Sequence, residues 1–447
     1  MSTPCRGLLT GLLMPIMTAC GPAPDLGIRT VELDPPEDTV SAFEPFAVVD
    51  PDLPDRIIVG AQYGPGYNRG GLRMWSWSTD DGGRTWRAGR VIPKQFPPAG
   101  QALAADLTMA IGPDGTVYHL SLTSDSAPGG LMTAGAALAV SSDGGRSFSP
   151  RTFFGGVDQS SPGVMVFTDK SWMAVDRHEP SPYRGTIYLS WSRNRVSVGP
   201  SDTTVSTSPA FAWSSDGGRS ISPPIALADS GFGTELAVTP DGVLHAVWTV
   251  HDRVILHRSS SDGGRSFGSP HLVAAVARTG AVVELPRLTA GPGGALLVCW
   301  TQGTGEGQET SAIWCATSRD GEDWSVAAAA PVAPAGVPVG YPAVAASSDA
   351  FWLLAYAADS SGLSVRLLRS SDGRSFTASR ALASRPLPPQ GLCTRPGLPC
   401  RRSGAGFFPG DYVTLAGSSG RLVAAYGLPR TTLPHATSIV VTVIDVP

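Results

Sequence analysis

The octamer SSDGGRSF occupies Ser141–Phe148 and recurs unchanged at Ser260–Phe267. Close copies are TDDGGRTW at Thr79–Trp86 and SSDGGRSI at Ser214–Ile221, and two shorter ones follow, SRDGEDW at Ser318–Trp324 and SSDGRSF at Ser370–Phe376. Their aspartates, at 81, 143, 216, 262, 320 and 372, are spaced by 62, 73, 46, 58 and 52 residues, so the chain is a repeat array with insertions. Within the octamer an aspartate carboxylate accepts from turn amides, glycine supplies positive φ, and the terminal Trp or Phe packs between sheets. These jobs are conformational.

A second punctuation is independent of the first. VDPDLPDR, IGPDGT, VDRHEPSPYRGT, TPDGV, AGPGGA, SSDAF and GSSGR each separate two apolar runs and suit hairpin turns. Seven such turns against six octamers give a unit of strand A, tight turn, strand B, variable loop, strand C, octamer, strand D. Four-stranded units of this kind cannot each bury both faces, so radial packing into a β-propeller is the favoured solution. The last unit has runs near 412–417, 422–426 and 438–444 but no octamer, and the spare run Ile28–Leu33 supplies its fourth strand. The expected fold is all-β with seven four-stranded antiparallel blades; a six-bladed ring, with the last three strands as a cap, is the alternative.

Composition agrees. Charged residues make up 16% of the 447, while 53 Gly and 40 Pro mark a chain rich in turns. A net charge of −4 leaves no basic stripe for phosphates, which argues against nucleic-acid partners. The first twenty residues, MSTPCRGLLTGLLMPIMTAC, combine one Arg, an apolar run from Leu8 to Met17 and small residues before Cys20. They read as a secretory signal and resemble a lipoprotein signal in which Cys20 becomes the acylated N-terminus. The expected organisation is therefore signal 1–20, spacer 21–27 and one propeller domain 28–447. The protein is expected in the bacterial cell envelope, lipid-anchored or secreted, as a monomer. Export makes Cys299 with Cys315, and Cys393 with Cys400, readable as local disulfides. No His spacing, P-loop or nucleotide glycine pattern calls for a metal or cofactor.

The octamers resemble the Asp box, or BNR repeat, of bacterial sialidases and related propellers, and the whole chain fits that architecture. DKSWMAVDRHEPSPYRG at 169–185 and FFPGDYVTLA at 407–416 also resemble exported sialidase-like propellers. The resemblance puts the boxes on C–D turns, away from a site formed where strand A starts and strand B ends. The starts of strand A place Glu44, Asp106, Asp169-Lys170, Glu235, Glu284 with Arg287, Tyr341 and Asp411-Tyr412 there. The B-strand ends add Tyr63, Trp191, Trp248, Trp300, Tyr356 and Tyr426, aromatics suited to stacking on sugars.

Sialidases imply an Arg triad on the substrate carboxylate, a Tyr nucleophile assisted by Glu, and an Asp acid/base. Transferred to this chain, that implies Tyr412 as nucleophile, Glu284 or Glu235 as its base and Asp106 or Asp169 as acid. Arg287 becomes the anion clamp, helped by Arg193 and Arg253. The Arg-Ile-Pro signature is missing, however, and the corresponding region reads FEPFAVVDPDLPDR. The expected partner is an extracellular glycan recognised at the axial face; the alternatives are a protein-interaction propeller without catalysis and a true exo-sialidase that hydrolyses the glycan. If Cys20 is the anchor, Cys20→Ser releases the protein from the membrane fraction into the soluble one, measured by fractionation and immunoblot; a variant still membrane-bound refutes the anchor.

Overall fold

The computed structural model describes residues 27–33, 41–64, 73–90, 103–127, 130–155, 163–199, 202–276, 281–283, 285–304, 311–388, 407, 409–430 and 436–446. Cys20, Glu284, Cys393 and Cys400 lie outside them. The described chain forms seven antiparallel sheets, with one 3-10 turn at Pro292–Gly294 and no α-helix among the described residues.

Naming strands A to D in chain order, blade one is Ser41–Val49, Ile57–Gly64, Arg73–Thr79 and Arg87–Arg90, and blade two is Leu103–Ile111, Val117–Ala127, Gly130–Ser141 and Ser149–Phe154. Blade three is Val164–Val175, Ile187–Val198, Thr203–Ser214 and Ile225–Ala226; blade four is Phe232–Val238, Leu244–Val250, Val254–Ser260 and His271–Ala275. In blade five strand A is split into Ala281–Val283 and Arg287–Ala290, both paired with Leu296–Thr304, followed by Ser311–Ser318 and Ser325–Val326. Blade six is Val339–Ala346, Phe351–Asp359, Gly362–Ser370 and Arg380–Arg385. Blade seven holds Thr414–Ser418, Arg421–Pro429 and Thr437–Asp445, and its outer strand is the N-terminal Gly27–Glu32. Each strand A touches the next, and the seventh touches the first, so the seven A strands surround one axis.

The N-terminal strand closes the ring in the register Ile28 opposite Ile444 and Glu32 opposite Val440. Two side-chain contacts reinforce it: Arg29 donates to both carboxylate oxygens of Asp445, at 3.2 Å each, and Thr30 and Thr442 hydroxyls meet at 3.0 Å. A disulfide joins Cys299 to Cys315 directly across strands B and C of blade five.

The repeated octamer forms the C–D turn in six blades. In blade two, Asp143 Oδ1 accepts from the amides of Arg146 (3.1 Å) and Ser147 (3.0 Å) and from Ser141 Oγ (2.7 Å). Ser141 Oγ in turn accepts from Gly145 N at 2.9 Å. Gly145 has φ +81°, and a Cβ there would lie 2.6 Å from Ile58 in strand B of blade one. Gly264 stands in the same relation to Phe211 of blade three. The second glycine therefore answers two demands at once, a left-handed turn and contact with the preceding sheet, which is why the GG pair recurs. Terminal aromatics complete the wedge, as where Phe267 meets Phe211 edge-on at 5.0 Å.

Asp143→Ala strips acceptors from two exposed amides, so the expected loss is about 1 kcal/mol, small because water replaces part of the bond. Gly145→Ala, forced into Ile58 at positive φ, costs more. Chemical denaturation of both variants checks the order; an Asp143→Ala loss exceeding that of Gly145→Ala would contradict this division of labour.

Candidate functional site

One backbone device recurs where strand A begins. Pairing with strand B skips two residues between Phe43 and Phe46, Ala105 and Thr108, Asp169 and Trp172, Phe232 and Glu235, and Gly340 and Ala343. The first bulged residue is left-handed in each: Glu44 (φ 54°), Asp106 (48°), Lys170 (47°), Gly233 (69°) and Tyr341 (55°). In blade five the break at Leu285-Pro286 falls at the same step, and in blade seven Gly410 (φ 105°) precedes Asp411. Four of the five bulges hold a non-glycine in a conformation that costs roughly 1–2 kcal/mol each. A bulge turns the strand and re-aims its side chain, here so that charged groups from several blades converge on the axis.

Lys170 is the hub. Its Nζ lies 2.8 Å from Asp411 Oδ2 and 3.5 Å from Asp106 Oδ2, and it sits 5.6 Å over the Tyr412 ring. Burial opposes its charge, but Asp106, Asp411, Glu44 and Asp169 outweigh that and push its pKa up, so it is a firm cation. Behind it, Glu44 is fully buried; its Oε1 accepts from Asp411 N at 2.9 Å and its Oε2 contacts the Gln62 side-chain amide. Burial, then repulsion from Asp411 and Asp106, pushes the Glu44 carboxyl up to about 8. Turning the Gln62 amide lets its otherwise unpartnered Oε1 accept the proton of neutral Glu44. Burial likewise raises Asp169 to about 6.

Across the mouth, Glu235 Oε2 accepts from Leu288 N at 2.7 Å and lies 3.2 Å from Arg287 Nε, an ion pair without a well-aligned hydrogen bond. Arg287 also stacks on Trp172, 4.7 Å from its ring centre. Burial raises Glu235 to about 7 against the opposing pull of Arg287 and the Leu288 amide. Asp106, Lys170, Trp172, Thr234, Glu235, Leu285, Pro286, Arg287 and Tyr412 line one pocket enclosing about 30 Å³ of free space. That is room for a water or two, or for one small substituent of a larger ligand. Tyr412 Oη and Thr234 Oγ1 are buried there without a hydrogen-bond partner.

The structure thus brings Asp106, Glu235, Arg287 and Tyr412 together, with Asp169 next to Lys170. Tyr341 packs instead beside Tyr356 at 5.9 Å, against the core of blades six and seven. Arg193 and Arg253 are exposed and do not line the pocket, so no Arg triad forms among the described residues. Trp191, Trp248 and Trp300 are at most 4% exposed. They fill the space between sheets and offer no stacking surface for a sugar, because B strands lie between two sheet faces. Burial, then the acids Asp106 and Glu44, push the Tyr412 phenol well above its ordinary pKa, which favours its neutral form, a hydrogen-bond donor. Trp172, which sequence reading overlooked, joins Tyr412 as an aromatic of the site. Its only signal was its place after Asp169-Lys170-Ser171, uninterpretable until the bulge is known.

No protein-family model matches the sequence, and no curated protein matches it. Among solved structures, a protein of unknown function from Dyadobacter fermentans is similar at 14% identity and TM-score 0.52, covering 94% of this chain and all of that one. An ulvan lyase, described as a new family of polysaccharide lyase and bound to a GlcA-Rha3S unit, is similar at 10% identity and TM-score 0.54, covering 92% of this chain and 95% of that one. The NanB sialidase of Streptococcus pneumoniae aligns more weakly, at 12% identity and TM-score 0.44, over 93% of this chain and 70% of that one. At these identities the likeness establishes the propeller fold.

Because Glu44 is protonated more readily folded (about 8) than unfolded (4.5), its contribution to stability is full below pH 4.5 and is lost as pH rises toward 8. Glu44→Gln, which mimics the neutral acid and keeps both hydrogen bonds, is expected to flatten the fall in melting temperature between about pH 5 and 8. Equal pH slopes in the two proteins would remove the buried proton from Glu44.

Proposed function

We propose that this is an exported, lipid-anchored propeller of the Asp-box type whose axial mouth binds an extracellular glycan. The observation that carries the reading is one pocket lined both by Tyr412 and Thr234, whose hydroxyls are buried without a hydrogen-bond partner, and by Asp106 and Glu235. Orphaned buried donors are costly, and a ligand hydroxyl that accepts from them while donating to a carboxylate relieves that cost. The strained bulges support the same reading, since left-handed non-glycine residues persist where the surroundings impose them, often at functional sites. That the similar ulvan lyase acts on a polysaccharide is consistent with a glycan partner.

A second reading, glycoside hydrolysis, is favoured by Glu235. A carboxyl held near 7 exchanges its proton at neutral pH. In that reading protonated Glu235 delivers its proton to the departing glycosidic oxygen, and Asp106, 3.5 Å from Lys170 Nζ, takes a proton from the water that attacks the anomeric carbon. Tyr412 and Arg287 then orient the sugar. Since Glu235 must carry its proton, the rate falls as pH rises through about 7.

Glycan-array binding and reducing-sugar release by wild type and Asp106→Asn test both readings. Binding weakened at least about tenfold by Asp106→Asn supports recognition at the mouth; release that falls about 10²-fold or more in the variant supports hydrolysis. Neither binding nor release by the wild type rejects the glycan and leaves a surface-protein partner.

A further inference from the structure

We infer that the sugar seated in this mouth is an uncharged one, recognised through its hydroxyls, with one hydroxyl or hydroxymethyl group entering the pocket; the inference rests on the axial-mouth reading above. The argument begins with charge. Among the described residues two cations reach the mouth, Lys170 and Arg287, and neither is available: Lys170 is held by Asp411 and Asp106, and Arg287 by Glu235. A carboxylate or sulfate placed there would lie against the anions already paired. Like charges repel, and more strongly away from water, so an acidic sugar meets repulsion from every carboxylate it approaches.

Hydrogen-bond type points the same way. Among the lining residues Tyr412 is a donor, Thr234 an amphoteric hydroxyl, and Asp106 and Glu235 acceptors. An anionic oxygen only accepts and leaves the carboxylates unserved. A sugar hydroxyl does both. Size agrees, since about 30 Å³ of space admits a substituent and excludes a ring, which must rest at the rim. Arg287 lies over the Trp172 ring, and Leu285 and Pro286 contribute apolar wall for the C–H face of a sugar.

The charge balance makes one variant diagnostic. Glu235→Gln keeps an oxygen to accept from Leu288 N and frees Arg287 to meet an anion. Binding of the full-length protein is measured by calorimetry against debranched arabinan and galactomannan as neutral probes, and polygalacturonate and sialyllactose as acidic ones, at low and high salt. The expected result is wild-type binding to a neutral probe with little salt dependence, none to the acidic ones, and a gain of about tenfold or more for polygalacturonate in Glu235→Gln. Wild-type preference for an acidic probe, weakened by Asp106→Asn or Glu235→Gln, overturns the neutral-sugar inference and leaves the mouth as the site. Binding unchanged in both variants, or no binding to any probe, overturns the mouth reading and the inference with it.

Discussion

Closure of the ring is the constraint from which the site follows. Each blade leaves two sheet faces to cover, and only neighbours on both sides cover them, so an open array would end in two exposed faces. The backbone pairing of Gly27–Glu32 with Thr437–Asp445 removes that problem by tying the beginning of the chain to its end. Closure also brings blade seven against blade one, and there Asp411 N meets Glu44 and Thr414 Oγ1 donates to Pro45 O at 2.8 Å. A Cβ on Gly410 would lie 2.3 Å from Glu44 Cγ, so this junction tolerates only glycine. The Lys170–Asp411 pair, separated by 241 residues, exists because the ring closes.

Within the ring, labour is divided between two ends of the same strands. At one end the octamer turns are rich in hydrogen bonds satisfied within a few residues, and their glycines press on the neighbouring sheet. At the other end the strand A bulges leave the ladder, hold left-handed residues and keep polar atoms unpartnered. The strain sits where the A strands converge on the axis.

The electrostatics of the mouth follow from burial more than from any single pairing. Five carboxylates, Glu44, Asp106, Asp169, Glu235 and Asp411, share two cations in a region withdrawn from water. Burial disfavours the charged form most at Glu44 and Glu235 and raises both, while the surrounding carboxylates keep Lys170 charged. The result is a site able to hold and release protons near neutral pH, assembled from residues whose ordinary pKa values lie far from it.

By itself the sequence determined the blade count, the A–B and C–D turns and the closing strand, because turn residues stand at fixed offsets between apolar runs, in seven A–B turns and six octamers. It also placed Asp106, Glu235, Arg287 and Tyr412 on one face, since the start of every strand A lies there. What only the tertiary structure decided is which of those polar groups meet, and in what state. The two-residue bulge is invisible in the pattern, yet it decides whether Lys170 or Asp169 occupies the hub and brings Trp172 to the pocket in place of Trp191, Trp248 and Trp300. Burial and charge pairing across blades are sums over residues hundreds of positions apart, so the pKa of Tyr412 and the absence of an Arg triad among the described residues were settled by the fold, where Coulomb interaction depends on distance in space and not along the chain.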